Sequence, residues 1–571
     1  MIGRNEHVCR YVVSAVVMAW GTVHASEIPD PRTRTYVEPV RVAWVGGATD
    51  NPEALMGAKN GQVPESGWGD GRCCVLKVGD SIALDFGREL HGGLQLLVSR
   101  SSGKGVRARV RFGESLSECF SDASSGEKGA GNDHAIRDSI HLMPWMGSVE
   151  IGNTGFRFVR IDAVDGTLAL ESVRAISLMR PMCRLGSFRS SDERLNRIFE
   201  TAVRTVHLCC QDYLWDGIKR DRLVWVGDMY PETKVILCVF GASGILPKSL
   251  DYMADTTRPS EWMNTMPSYT LWWIRNLAAW YSFTGDMAYL RRRADYLRET
   301  LSHIEKCISP SNTLDVAGFL DWPTQHNGSA VRSGMQALSV LSFDDAAALL
   351  SALGEKELSG IWHERAVRFR SVACDPNGAK SSAALLALSG VRLPKEMYVE
   401  TLGRDGCDGV STFYGYFVLE AMSAAGEDQR ALDTVRDYWG AMLDVGATSF
   451  WENFDLAWTN GCCRIDELPV TGRKDVHGDY GEFCYKGFRH SLCHGWSAGP
   501  AAWLINHVLG IRPLESGCRA VEIRPFLGDL EWAEGSMALP DGGAVKVYVR
   551  KDSNGGVRTM VSAPDGIRIV R

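Results

Sequence analysis

From about Thr35 to Met182 the chain runs in short β-rich stretches such as Gly93–Val98, Val106–Phe112 and Phe156–Ala163. Turn-forming clusters, Ser101-Ser102-Gly103 and Asp165-Gly166 among them, separate these stretches, which is the pattern of a β-sandwich. After Cys183 the period changes. Ser190 followed by Glu193 has the form of a capping box, and Leu195, Ile198, Phe199, Ala202 and Val206 then share one helical face. Further helical stretches are predicted over Thr270–Tyr281, Ala288–Cys307, Phe343–Leu353, Glu357–Ala373, Lys380–Leu388, Phe413–Ala425, Asp428–Met442 and Ser497–Leu509. Roughly a dozen helices without strand–helix alternation suit an all-α domain, a barrel of paired helices. From Ile511 onward β-patterning returns, as in Ala520–Arg524 and Ala544–Val549.

These breaks divide the chain into residues 26–183 as a β-sandwich, 184–510 as the helical domain and 511–571 as a short β-domain; 571 residues exceed what one core holds. Residues 1–25 read as an export signal. Arg4 and Arg10 flank a short apolar run ending at Trp20, and Val23-His24-Ala25 has the small-x-small form of a cleavage site. The mature chain is then expected from Ser26, in a periplasm or beyond, and no later segment is expected to span a membrane. The net charge of −7 speaks against a nucleic-acid partner. Eighteen tryptophans suit sugar binding, since an indole covers the apolar face of a pyranose, and also suit large aromatic cores. The 16 cysteines show no zinc-site spacing.

The densest chemistry lies in Asp216-Gly-Ile-Lys-Arg-Asp-Arg-Leu-Val-Trp-Val-Gly-Asp-Met-Tyr-Pro-Glu232. Charges that alternate with Leu223, Val224, Trp225, Val226 and Met229 suit the wall of a cleft, where carboxylates are held by neighbours. As a helix, the segment would align Asp221, Trp225, Asp228 and Glu232; a loop leading into a helix is equally consistent, given Gly227 and Pro231. Cleaving a glycosidic bond needs a proton donor and a second carboxylate. Glu452, flanked by Trp451 and Phe454, is the candidate for the second. Asp321-Trp322 and Trp272-Trp273 are further sugar-contact candidates. His490 and His494 have helical metal-ligand spacing but lack a third ligand. Gly495-Trp-Ser-Ala-Gly499 with His91-Gly92-Gly93 matches the serine-esterase elbow and oxyanion patterns without a suitably placed downstream triad.

With these residues in view, the chain resembles the α-L-rhamnosidases of glycoside hydrolase family 78, a divergent subgroup. Leu84-Asp-Phe-Gly-Arg-Glu-Leu-His-Gly-Gly-Leu94, Arg111-Phe-Gly-Glu-Ser115 and Gly155-Phe-Arg-Phe-Val-Arg-Ile161 are similar to segments of that family's β-sandwich. Asp216, Arg220, Arg222, Leu223, Trp225, Gly227 and Asp228 stand as in its Asp-Cys-Pro-x-Arg-Glu-Arg-Leu-Gly-Trp-x-Gly-Asp signature. The resemblance implies an (α/α)6-barrel catalytic domain that hydrolyses terminal α-L-rhamnosides with inversion, and requires neither metal nor cofactor. It places Asp221 as general acid and Glu452, in Trp451-Glu452, as general base. Asp216, Arg220, Trp225, Asp228 and His494 would contact the sugar or hold the acid. Two departures stand out. Asp221 replaces a glutamate, with Glu232 the alternative acid, and Gly217-Ile218 replace Cys-Pro. The long polar segment between Glu452 and His494 is expected to shape the leaving-group side.

Overall fold

The computed structural model describes residues 28–571 except 58–63, 65–71, 104, 553 and 555. The expected export signal lies outside the described residues.

The N-terminal β-run folds as eight strands. Thr33–Val37, Arg41–Gly46, Cys74–Leu76, Ser81–Ser101, Val106–Gly113, Asp138–Met143, Gly147–Ala163 and Leu168–Met179 are joined by hydrogen bonds into one antiparallel sheet. The expected sandwich is thus a single continuous sheet around one apolar core of Leu84, Leu94, Val110, Phe156, Ile161 and their neighbours. The 21-residue strand Ser81–Ser101 makes this continuity feasible. It pairs with three others, and its register against Gly147–Ala163 shifts between Asp85 and Leu90 and again between Gly92 and Leu94, as bulges do where a sheet bends. Gly92, at φ 143°, lies so close to the next strand that a Cβ would sit 2.1 Å from Ile176 O. The His91-Gly92-Gly93 motif therefore serves the sheet and not an oxyanion hole.

The helices follow the predicted pattern closely in the middle of the chain. Pro267–Thr284, Met287–Lys306, Gly328–Leu353, Lys356–Arg370, Lys380–Leu388 and Gly415–Ala424 all form. Two more, Met229–Phe240 and Ile245–Thr256, escape the periodicity reading. The first is apolar almost all round and buried, so it shows no polar face to mark its period. The helix Glu193–Cys209 is capped by Asp192, whose side chain accepts from Arg194 N–H and Leu195 N–H at 2.8 and 3.3 Å; the expected Ser190–Glu193 box does not form. The segments over Asp428–Met442 and Ser497–Leu509 form only with π-helical turns at Val435–Trp439 and Leu504–Val508. Among the described residues one helix, Gly328–Leu353, is long and apolar enough to cross a membrane, and most of its apolar window is buried inside the protein.

The boundary at residue 183 shifts in meaning. Strand Ser187–Ser190 pairs with Trp532–Ala538, so it completes the C-terminal four-stranded sheet with Ala544–Lys551 and Val557–Ser562. A second small sheet joins Ile511–Pro513, Ala520–Ile523 and Arg568–Val570. Phe188, Ala533, Met537 and Val547 lie in the same apolar core as the helices. The C-terminal strands are thus part of the helical body's core.

Candidate active site

The segment Asp216–Asp228 is a loop that leads into the helix Met229–Phe240. The one-face helix is excluded, because Asp221 and Arg222 both adopt left-handed backbone, φ 54° and 55°. Pro231 costs nothing there: it stands in the first helical turn, where backbone N–H groups have no intrahelical acceptor. Asp216 closes the loop. Its Oδ1 accepts Leu223 N–H at 2.9 Å, and its backbone N–H donates to Leu223 O at 3.1 Å. Asp216 O also accepts Gly495 N–H at 2.8 Å, which ties the loop to the segment carrying His494. Leu223 is half exposed.

The loop lines a cavity of about 220 Å³ together with Glu452. Asp216, Arg220, Asp221, Trp225, Asp228, Asp321, Trp322 and His494 all border it, so most of the sequence-predicted residues meet at one place. Glu452, over two hundred residues from the loop, is 2% exposed. Arg220 Nη2 donates to its Oε1, and Ser491 N–H donates to its Oε2 at 3.0 Å. Trp496 Nε1 and Thr412 Oγ1 both donate to its backbone carbonyl, at 2.9 and 2.5 Å. Arg220 also reaches Asp221, with Nε 4.0 Å from Oδ1. One guanidinium therefore stands between the two carboxyl groups that a glycosidase would use.

The other carboxyls of the cavity are held differently. Burial pushes the Asp216 carboxyl up to about 8. Burial and the neighbouring Asp216 raise Asp228 well above the usual carboxylate range, against the hydrogen bond that Tyr269 Oη donates to its Oδ1 at 2.7 Å. Both can then donate as well as accept towards sugar hydroxyls at neutral pH. His494 lies 3.6–3.9 Å from carboxylate oxygens of Asp216, Glu452 and Asp228. Those distances are too long for hydrogen bonds, and burial depresses its imidazole to about 4 despite Glu452. It is a neutral ring. Asp321 accepts from Thr324 N–H and Ser411 Oγ, both at 2.9 Å, and burial raises its carboxyl.

Aromatic rings make the walls. Trp225 stands edge-on to Tyr269 at 6.0 Å, and its Nε1 has no acceptor among the described residues. Trp322, 38% exposed, packs near Phe319 and Phe483. Tyr269, Phe319, Tyr485 and Trp496 also line the cavity and escaped the sequence reading. Only Trp496 carried a local signal, through the Cys-His-Gly-Trp run. Cys484, Tyr485 and Arg489 belong to the long segment between Glu452 and His494, which thus supplies part of the wall.

Three predicted site residues lie elsewhere. Trp272 is fully buried among Tyr230, Phe413 and Phe417. Trp451 is fully buried beside Phe454 and His490. Both are core residues, as large rings at closely packed positions usually are. Glu232, the alternative acid, does not border the cavity. It is completely buried with both carboxyl oxygens unpartnered, and a Cβ on Gly495 would lie 1.4 Å from its Oε1. Gly495 is glycine because Glu232 fills that space.

Ser497 is buried in a short 3-10 turn, Gly495–Ala498, and donates to His494 O at 2.8 Å, so no nucleophile elbow forms. His490 and His494 share no helix; His490 Nε2 accepts Asn453 N–H at 2.9 Å. Glu114, Glu118 and His477 form a compact buried trio with metal-ligating atoms. Lys219 fills the cation's place, with Nζ 3.0 Å from Glu114 Oε2 and 3.1 Å from Glu118 Oε1, and donates to Phe488 O and His490 O. Glu114 Oε2 also accepts Leu492 N–H at 2.6 Å. This cluster fastens the β-sheet unit to both loops of the cavity. A second tie comes from the turn at residues 131–137: His134 Nδ1 lies 3.1 Å from Asp221 Oδ1.

Residues 183–372 match the family model of the bacterial alpha-L-rhamnosidase 6 hairpin glycosidase domain. No curated protein sequence matches the chain. Among solved structures, the family 78 rhamnosidase of Bacillus sp. GL1 superposes with a TM-score of 0.73 at 24% identity over 87% of this chain. The chain spans about half of that protein, 54%. The Klebsiella oxytoca rhamnosidase, solved with rhamnose bound, gives 0.66 at 20% identity, covering 83% of this chain and 96% of its own. The Streptomyces avermitilis alpha-L-rhamnosidase, complexed with L-rhamnose, gives 0.68 at 19%, covering 86% and 48%. At these identities the likeness is one of fold. The chain accordingly shares its fold with the family 78 rhamnosidases, and its residues 183–372 are similar to the bacterial alpha-L-rhamnosidase 6 hairpin glycosidase domain.

Proposed function

We propose that this protein is an exo-acting α-L-rhamnosidase that removes terminal rhamnose from plant or bacterial glycans or glycosides with inversion. The observation that carries the reading is the pair Asp221 and Glu452, both bordering one cavity, with Arg220 bonded to Glu452 and its Nε 4.0 Å from Asp221 Oδ1. The cavity is smaller than the roughly 300–1,000 Å³ that drug-sized ligands occupy, which suits a single terminal sugar.

In this mechanism Asp221 gives its proton to the glycosidic oxygen as the bond to the anomeric carbon breaks. Glu452 takes a proton from the water attacking the opposite face. Arg220 and Ser491 N–H each use one lone-pair site of the Glu452 carboxylate, leaving two for water. Asp216 and Asp228, protonated by burial, and the neutral His494 supply hydrogen bonds to hydroxyls without adding charge. Trp225 and Trp322 supply apolar faces for the ring. No step needs a metal or cofactor.

Export by the signal at residues 1–25 belongs to the same proposal. So does a division into a β-module at 26–183, an (α/α)6 barrel at 184–510 and a C-terminal β-module at 511–571, with Ser187–Ser190 lent to the last. A panel of aryl glycosides tests the function, with the anomer of the released sugar followed by NMR. Release of β-L-rhamnose as first product from the α-rhamnoside is expected. First release of the α-anomer sinks inversion; cleavage only of another glycoside moves the enzyme to a different sugar.

A further inference from the structure

The helices that frame the site enclose a second cavity, of about 710 Å³, towards their C-termini. None of the residues bordering the Asp221–Glu452 cavity borders it. On helix Pro267–Thr284, Tyr269 belongs to the first cavity and Tyr281 to the second, which sets them about 18 Å apart along the axis. The space exists because two facing helices place small side chains there, Ala278 and Ala279 on one and Ala348 and Ala352 on Gly328–Leu353. Strand Ile511–Pro513 closes one side with Arg512 and Pro513. The volume falls in the range of roughly 300–1,000 Å³ in which small molecules bind.

The charges on the wall are matched with one exception. Arg275 Nε lies 3.0 Å from Asp345 Oδ2, and its Nη2 donates to Tyr230 Oη at 3.2 Å. Arg512 Nε lies 3.1 Å from Glu522 Oε2. Burial works against a charged His507, but Glu420 Oε2 at 3.3 Å and Asp428 Oδ1 at 3.7 Å hold its imidazole up at about 9. Lys234, on helix Met229–Phe240, is left over: its ammonium group makes no hydrogen bond or ion pair among the described residues. It feels the charge of Glu420 without pairing with it. Glu420 Oε1 is in turn a buried acceptor with no donor. A cation and a buried acceptor on one wall, each lacking a partner, call for a molecule that supplies both. The hydroxyls of Tyr281 and Ser282 line the same space and make no hydrogen bond among the described residues.

We propose that this cavity binds a small hydroxylated monocarboxylate of sugar size, whose carboxylate pairs with Lys234 and whose hydroxyl donates to Glu420 Oε1. One unmatched cation specifies one negative charge, since a second would stay uncompensated beside Asp345 and Glu420. The phenol of Tyr281 and the hydroxyl of Ser282 serve the remaining hydroxyls. The site is one of binding alone, and it does not rest on the reaction proposed for the other cavity.

Glucuronate, gluconate, glucose and acetate are titrated calorimetrically into wild type, Lys234→Met and Ala348→Trp at low ionic strength, with thermal unfolding as the control for folding. Wild type is expected to bind glucuronate or gluconate about 10-fold more tightly than glucose or acetate. Lys234→Met keeps the length of the side chain, removes its charge and should weaken binding of the acid about 10-fold. Ala348 is exposed, so a tryptophan there leaves the fold intact and blocks the cavity; it should abolish binding. No saturable binding by wild type, equal affinity for the acids and glucose, or binding untouched by Lys234→Met overturns the proposal, the last by placing the ligand elsewhere. Should Lys234→Met fail to fold, Ala348→Trp decides alone: binding that survives it overturns the proposal.

Discussion

The two carboxyl groups assigned to catalysis are built in opposite ways. Glu452 is sealed in the helical body: a guanidinium and a backbone amide hold its oxygens, and an indole and a hydroxyl hold its carbonyl. Asp221 sits on a left-handed loop at the seam between the sheet unit and the helices, with its side chain 18% exposed, and is steadied by a histidine from the other side of that seam. The difference suits the two tasks. In the proposed mechanism a base that must aim at one water profits from a rigid mount, whereas an acid that meets leaving groups of varied shape profits from partial exposure. It also implies that the base depends on packing within one body, and the acid on how two bodies meet.

The largest effect should come from the rigid side. Glu452→Gln is expected to lower kcat/KM by about 10³-fold on every leaving group alike, read by steady-state kinetics; a loss confined to poor leaving groups would exchange the two roles. Asp221→Asn is expected to cost about 10²-fold on alkyl rhamnosides and much less on activated aryl ones. A flat profile across leaving groups would remove the acid assignment. Gly495→Ala drives a methyl group into the buried Glu232 carboxyl, next to the loop that Asp216 closes. It should destabilise by about 3 kcal/mol, the upper part of the range for overpacking. An unchanged Tm would show that this region yields more easily than its packing implies.

A smaller, pH-dependent effect probes the ground between the two carboxyls. Folded Asp216 keeps its proton up to about pH 8, whereas the unfolded chain loses it near 3.8. Between those values the folded state binds more protons, so the stability that Asp216 contributes at low pH is lost as pH rises towards 8. Asp216→Asn keeps the acceptor for Leu223 N–H and cannot ionise. Its Tm should match the wild type near pH 4 and exceed it by a few degrees, roughly 5 °C, near pH 9; a gap independent of pH would disprove the shift. The mildest effect is expected at the open rim, where Trp322→Ala should raise KM by about 5-fold with unchanged Tm, consistent with the loss of one partly exposed ring contact. An unchanged KM would place the sugar away from Trp322.

Much of this site was legible because its chemistry is concentrated. A run that alternates carboxylates, arginines and a tryptophan suits a cleft wall, and a resemblance in seven of its positions suggested the roles. Glu452 was found through its aromatic neighbours. The misses share a cause: Trp272, Trp451 and Glu232 are residue types that bind sugars or sit in cores with equal ease, and local sequence does not tell which way a side chain faces. His134 gave no signal at all, since its contact with Asp221 depends on a turn of the sheet unit meeting a loop about ninety residues later.

By itself the sequence determined the order of β, α and β regions, since hydrophobic period is a local property, and it pointed to Asp216–Asp228 as the wall of a cleft, since charges that alternate with large apolar residues must be held by neighbours. Only the tertiary structure decided that the sheet is one continuous piece, that Ser187–Ser190 belongs with strands over three hundred residues away, and that Glu232 is walled off behind Gly495. It also decided that Asp221 is reached from outside its own loop. These are facts of long-range packing and hydrogen bonding, fixed by which surfaces exclude water together and which buried polar groups find partners.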